Sequence, residues 1–131
     1  HTLKEKNLKW PNSPSGLPGV QTTLHLMLYH VNKKRITLEK VIELLCYNPA
    51  KIYNIKNKGQ LKKGYDADIT IVDLKKPYTI KNKDMAYKCG WTPFDGFKIK
   101  GDIFATLVNG KVKVIERKIL GKPDGKMVQF N

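Results

Sequence analysis

The stretch Pro14-Ser15-Gly16-Leu17-Pro18-Gly19 constrains this chain more than any other, because it dictates a backbone path rather than a pattern of side chains. Proline sets φ and removes a donor, whereas glycine admits positive φ and the close approach of another group. A segment built this way presents main-chain atoms to something. From Val20 onward apolar residues recur at Leu24, Met27, Leu28 and Val31, the spacing of a helix that buries one stripe. The bend is therefore expected to feed a helix N-terminus, where free N–H groups and the helix dipole favour an anionic ligand. The plainer alternative is a tight loop that only reverses the chain.

Ahead of the bend, residues 1–15 are polar, and Trp10-Pro11 and Ser13-Pro14 confine any helix there to its first turns, so an exposed loop is expected. Lys33-Lys34-Arg35 suits the end of the first helix. Thr37 is placed to cap a second, with Ile36 stapling to Val41, and Leu38, Val41, Ile42 and Leu45 carry it to about Tyr47. Asn48-Pro49 then opens a third, short helix, with proline where its missing N–H costs nothing. His25 and His30 are five apart, not the three or four that put two ligands on one helical face, and read as ordinary helix positions.

After Gly59 the period changes. Ile69, Ile71 and Leu74 alternate with Thr70, Val72 and Asp73 as a strand, and Tyr78-Thr79-Ile80 forms a second, shorter one. Residues 81–101 are irregular, with Trp91, Phe94 and Phe97 among glycines and prolines. Such aromatics tack a loop onto a core, although a base-stacking surface is the functional alternative. Asn109-Gly110-Lys111 between Ile103–Val108 and Val112–Ile115 signals a hairpin, and the basic tail 117–131 is expected to be partly ordered at best. Asp66, Asp68, Asp73 and Asp95 fall at turns and strand ends, where hydrogen-bonding duties outweigh catalysis. Taken alone, this is a set of helices from a larger α/β body followed by a small antiparallel sheet.

Three strings in register add to that reading. His1-Thr2-Leu3-Lys4-Glu5-Lys6 followed by Pro14-Ser15-Gly16-Leu17-Pro18-Gly19-Val20-Gln21-Thr22 resembles the segment of class I dihydroorotases that follows the last barrel strand. Asn48-Pro49-Ala50-Lys51-Ile52-Tyr53 with Lys58-Gly59 and Gly64-Tyr65-Asp66-Ala67-Asp68 resembles amidohydrolases broadly, and Lys88-Cys89-Gly90-Trp91-Thr92-Pro93-Phe94-Asp95-Gly96 is similar to dihydroorotases more narrowly. The resemblance implies an α/β fold made of the C-terminal fragment of a (β/α)8 barrel and its last outer helices, plus the C-terminal strands of a small composite β-sandwich. Residues 1–56 would be the end of the barrel domain, with 1–19 as the active-site loop, and residues 57–131 the share of the sandwich and the tail.

Size agrees, since 131 residues fall far short of the roughly 250 of a whole barrel. A first residue other than methionine, with no signal peptide or membrane run, reads as a chain that starts inside a longer protein. The net charge of +14 comes from 25 Lys+Arg against 11 Asp+Glu, but the lysines are scattered and no RNP motif or zinc finger accompanies them. A solvated surface is the plainer account, and neither nucleic acid nor membrane is expected as a partner. Cys46 and Cys89 are too few for a disulfide framework, which points to a reducing cytoplasm, and Cys46 within a helical pattern is expected to be a small buried hydrophobe.

Dihydroorotases interconvert N-carbamoyl-L-aspartate and dihydroorotate in pyrimidine biosynthesis, with a binuclear zinc site and a carboxylate that moves a proton to the ring nitrogen. The resemblance implies that the ligands, a His-x-His pair, a carboxylated lysine and two further histidines, lie upstream of this chain. So does the aspartate of an Asp-His-Ala-Pro-His string whose last residue matches His1. No catalytic residue and no metal ligand is then expected here, and the chain alone should be inactive. What the resemblance leaves to it is substrate binding: His1 for the substrate carboxylate, Ser15 and Gly16 for the ring through their main chain. The implied partners are the upstream barrel segment, the substrate and, in some systems, aspartate transcarbamoylase. Two alternatives stay open: an allantoinase- or hydantoinase-type cyclic amidase, and a non-catalytic dihydroorotase-like scaffold.

Overall fold

The computed structural model describes residues 1–130. A single helical turn, α1 (Leu3–Lys6), opens the chain and the bend follows it. Helix α2 (Thr23–Asn32) starts later than the apolar spacing suggests, because the N–H groups of Thr22 and Thr23 both turn back to the carbonyl of Gly19 and Val20 is left exposed. The bend at Gly16 is thus separated from the helix by a turn of its own, and is not the helix's first turn.

Thr37 caps α3 (Leu38–Ile42) as expected, its hydroxyl accepting from the N–H of Lys40 at 3.2 Å. The chain does not then stop and restart. A π-helical turn at Glu43–Tyr47 runs straight into α4 (Asn48–Ile52), and Asn48, at φ −64° and ψ −45°, is helical rather than a cap. The reason is Pro49, whose ring would collide with the carbonyl four residues back in a regular α-helix. The wider turn, closed by the Asn48 N–H on the carbonyl of Glu43, takes in one extra residue and carries the helix through. Cys46, expected to be a small buried hydrophobe, is exposed, as are Leu44, Leu45 and Tyr47 around it, because nothing among the described residues covers this segment.

The β-structure is a four-stranded antiparallel meander in the order β1-β2-β3-β4. The two expected strands at 69–74 and 78–80 are one, β1 (Ile69–Thr79), broken in register between Ile71 and Val72 and again between Asp73 and Pro77. Proline cannot donate to a ladder, so a slip next to Pro77 splits the alternation into two shorter patterns. β2 (Lys98–Val108) likewise begins before the irregular span was expected to end. The hairpin to β3 (Lys111–Ile115) pairs Val108 with Lys111 around Asn109 and Gly110, both at positive φ as a type I′ turn requires.

The tail is better anchored than its composition suggests. β4 (Lys118–Ile119) pairs with β3, and the Lys56 N–H donates to the carbonyl of Gln129 at 2.8 Å beside an Ile55–Phe130 bridge. Asn131, the last residue of the expected tail, lies outside the described residues.

Helix α2 packs across β2. Tyr78, Ile80 and Ile99 form a buried cluster against Leu26, Tyr29, Met85 and Phe94. The amide of Asn32 lies within 2.8–3.1 Å of the carbonyls of Leu28, Leu74 and Lys100, strapping the helix end to both long strands. Elsewhere the molecule is unusually open. Its accessible surface is 9855 Å², whereas a compact monomer of 15.0 kDa exposes about 7,000 Å². Much of the excess is apolar: Ile42, Leu44, Leu45 and Ile52 on the helical segment and Ile71 and Phe104 on the sheet are exposed. No helix among the described residues is long and apolar enough to cross a membrane.

Candidate functional site

The N-terminal segment is a small self-braced unit. Thr2 and Glu5 form a capping box on α1, the Thr2 hydroxyl accepting from the Glu5 N–H at 3.3 Å while the Glu5 carboxylate takes the Thr2 N–H and hydroxyl. These bonds, the main-chain one foremost, hold the Glu5 carboxyl below the usual carboxylate range. At the end of the same turn the ammonium of Lys6 reaches the bend, donating to the carbonyl of Gly16 at 2.8 Å and to that of Pro14. The Ser13 hydroxyl returns a bond to the Lys6 carbonyl at 2.9 Å.

Two ties fasten this unit to the body. The indole N–H of Trp91 donates to the His1 carbonyl at 2.9 Å. The Gln21 amide grips the other end, donating to the Asp84 carbonyl at 2.8 Å and accepting from the Ala86 N–H at 2.9 Å. The 81–97 span is therefore the wall on which the segment hangs, and it is ordered by its own bonds, Asn82 N–H to Asp95 and Thr92 N–H to Asn82, both at or under 2.8 Å. Trp91 is buried, Phe94 joins the core cluster and Phe97 meets Tyr29 edge-on at 5.2 Å. The aromatics tack a loop down; they do not make a stacking face.

His1, Ser15 and Gly16 are all exposed. α1 and Lys6 link His1 to the bend as one piece, and no hydrogen bond among the described residues joins the His1 side chain to Ser15 or Gly16. The four aspartates take the duties expected of them: Asp73 accepts from the N–H groups of Lys75 and Lys76, Asp95 from that of Asn82, and Asp66 and Asp68 both clasp Lys58. That clasp edges a cleft of about 370 Å³ between the 56–58 turn and tail residues 125–129.

One cluster escaped the sequence reading. His25 is buried, with Nε2 3.1 Å from Oδ1 of Asp102 and Nδ1 3.3 Å from the Gln21 carbonyl. Asp102 is fully buried in β2 and takes Arg117 at 2.9 Å and Lys76 at 3.7 Å on its other oxygen. The Tyr78 ring lies 4.8 Å from that of His25 with the Arg117 guanidinium 4.7 Å over its face, and burial, then the nearby Asp84 charge, pushes its phenol up to about 12. A charged residue between Gly101 and Ile103 in an apolar run was the available clue, since a buried carboxylate must be paired. The cluster bolts α2 to the sheet.

Among the described residues no group of three or more His, Cys, Asp and Glu converges to hold a metal ion. His25 is committed to Asp102. The described residues of this chain do not by themselves fit a zinc site.

The family model that matches residues 15–113 is the amidohydrolase family, a span from Ser15 of the bend through β1 and β2 into β3. The chain belongs to the amidohydrolase family. It is 43% identical to a dihydroorotase of Pyrococcus furiosus over 98% of its own length and 30% of that protein's. In structure it is similar to an L-hydantoinase from Arthrobacter aurescens (TM-score 0.83, 34% identity, 89% of this chain and 27% of that one). It is likewise similar to a D-hydantoinase (TM-score 0.87, 32% identity, 95% and 28%). This amidohydrolase chain thus spans about 30% of the length of the dihydroorotase it matches.

Proposed function

We propose that the chain is part of a dihydroorotase, the cyclic-amide hydrolase that interconverts N-carbamoyl-L-aspartate and dihydroorotate. The observation that carries this is the 43% identity sustained over 98% of the chain, with the bend, the Lys88–Gly96 string and the tail all inside the match. In this reading residues 1–56 come from the end of the barrel domain, residues 57–131 from the small sandwich, and α2 is the joint between them. The surplus surface supports it: the apolar faces of the α3–α4 segment and of the sheet are what remains uncovered when a neighbouring body is taken away.

The chemistry of the exposed groups fits an acidic cyclic amide. The substrate is an anion with a planar imide edge, so a histidine that can carry charge suits its carboxylate, and main-chain donors and acceptors at Ser15 and Gly16 suit the ring. Metal and catalytic carboxylate would come from the upstream segment, and this chain by itself would not turn substrate over. The two free thiols, Cys46 and Cys89, fit the reducing cytoplasm in which we place the enzyme. In some systems an aspartate transcarbamoylase would be a further partner in this reading.

A hydantoinase-type amidase is the second reading, favoured by the solved structures this chain resembles. An assay of the assembled protein against dihydroorotate, hydantoin and allantoin separates the two. Ring opening of dihydroorotate is expected; turnover of only the other two overturns the assignment.

A further inference from the structure

The bend offers fewer main-chain atoms than its composition suggests. Lys6 sits at the last position of α1, and two of its three ammonium donors go to the carbonyls of Pro14 and Gly16, which flank Ser15 on either side. Pro14 has no N–H to give. Around Ser15 this leaves the N–H and carbonyl of Ser15 and the N–H of Gly16 for an outside molecule, none of which has a partner among the described residues. Gly16 is at φ +86°, and a Cβ there would meet nothing within 4 Å, so the glycine is needed for its conformation and not for space. A glycine bend without side-chain contacts does not hold one shape unaided. The half-buried Lys6 side chain supplies the constraint, projecting from a capped turn whose last carbonyl, that of Lys6, accepts from the Ser13 hydroxyl.

We propose that Lys6 is a positioning residue: by locking the carbonyls on both sides of Ser15, its ammonium sets which main-chain groups the bend presents to the acidic cyclic-amide substrate. The inference rests on the reading of the bend as a substrate contact. It also accounts for α1 itself, since a single turn with a complete capping box has no core to bury and serves to aim one long side chain.

The test uses the assembled enzyme with Lys6→Met, Lys6→Gln and Lys6→Arg. Loss of two charge-assisted bonds is expected to raise KM for dihydroorotate roughly tenfold or more, with a smaller fall in kcat. Lys6→Arg, which keeps charge and donors, should recover most of the loss. Backbone NMR order parameters at residues 15–17 should fall in Lys6→Met and stay unchanged in α2. Should Lys6→Met fold poorly, Lys6→Gln carries the same expectation. Unchanged KM and unchanged order at the bend overturn the proposal, as does a loss confined to kcat or one that Lys6→Arg fails to relieve. If the unaltered enzyme leaves dihydroorotate intact, the functional reading fails instead. The order parameters then judge the lock alone: lower values sustain it and unchanged values refute it.

Discussion

The indole nitrogen of Trp91 and the carbonyl oxygen of His1 are 2.9 Å apart across ninety residues of sequence. Trp91 is buried and the rest of the first residue is exposed, so one hydrogen bond sets where the imidazole starts. The tryptophan in the Lys88–Gly96 string therefore acts on the N-terminal segment without being near the bend in sequence.

Replacing Trp91 by Phe keeps a ring in the pocket and removes the donor. The expected cost is about 1 kcal/mol of local stability, felt in the N-terminal segment. Amide exchange in α1 should accelerate while β1 and β2 keep their protection; uniform acceleration would instead mean that the ring alone matters.

Asp102→Asn attacks the bolt between helix and sheet. The variant leaves His25 with an ambiguous partner and Arg117 without its anion, whereas Lys76 keeps Glu116 at 3.6 Å. Because both cations are partly exposed, a loss of about 2–3 kcal/mol is expected rather than the full penalty of an orphaned buried charge. Chemical denaturation of the assembled protein measures it, and a loss below about 0.5 kcal/mol, the size of an ordinary surface change, contradicts the bolt.

Gly101 lies in β2 at φ +113°, and a Cβ there would come within 2.8 Å of the Leu28 Cβ. Neither atom can swing away, since both are anchored to backbone. Gly101→Ala should therefore cost about 2–4 kcal/mol through strain and forced separation of α2 from the sheet. Gly121→Ala, at φ +66° with open space around it, should cost clearly less. Melting temperatures of the two variants decide, and equal shifts would leave the close approach without consequence.

The Lys58 clasp predicts a stability window in pH. Lys58 holds the Asp68 carboxyl below its usual range, with a further bond from the Asn109 N–H, and Asp68, then Asp66, raises Lys58. A depressed carboxyl stabilises the fold above its unfolded pKa, and that contribution is lost as pH falls through the lower folded value. A raised lysine stabilises below its unfolded pKa, and its contribution is lost as pH rises through the higher folded value. Asp68→Asn should accordingly flatten the acid limb of a stability profile below about pH 4, the ordinary aspartate range. An acid limb as steep as the parent's would show that other carboxyls control it.

Local chemistry alone was enough to read several elements. Thr37 caps because a hydroxyl at that place has an orphan N–H to accept from, and Asn109-Gly110 turns because both residues tolerate positive φ. Family resemblance carried by short strings was legible for a similar reason, since Gly and Pro positions record backbone shape directly. Where the reading failed, two residues distant in sequence had to be known together. β1 stays one strand because β2 pairs across its slips, and Asp102 is buried because Arg117 and His25 meet it there.

What the chain's own order of residues determined is the set of pieces: a rigid bend, three helical runs, a meander with one sharp hairpin, and the family they belong to. Tertiary structure alone decided the couplings. Trp91 reaching His1, Lys6 reaching the two carbonyls of the bend, and His25 meeting Asp102 depend on chain paths brought within hydrogen-bond distance, and no local propensity encodes that distance. Propensities act over a few neighbouring residues, whereas the energy of a buried charge or a shared carbonyl is settled only when remote segments displace the water between them.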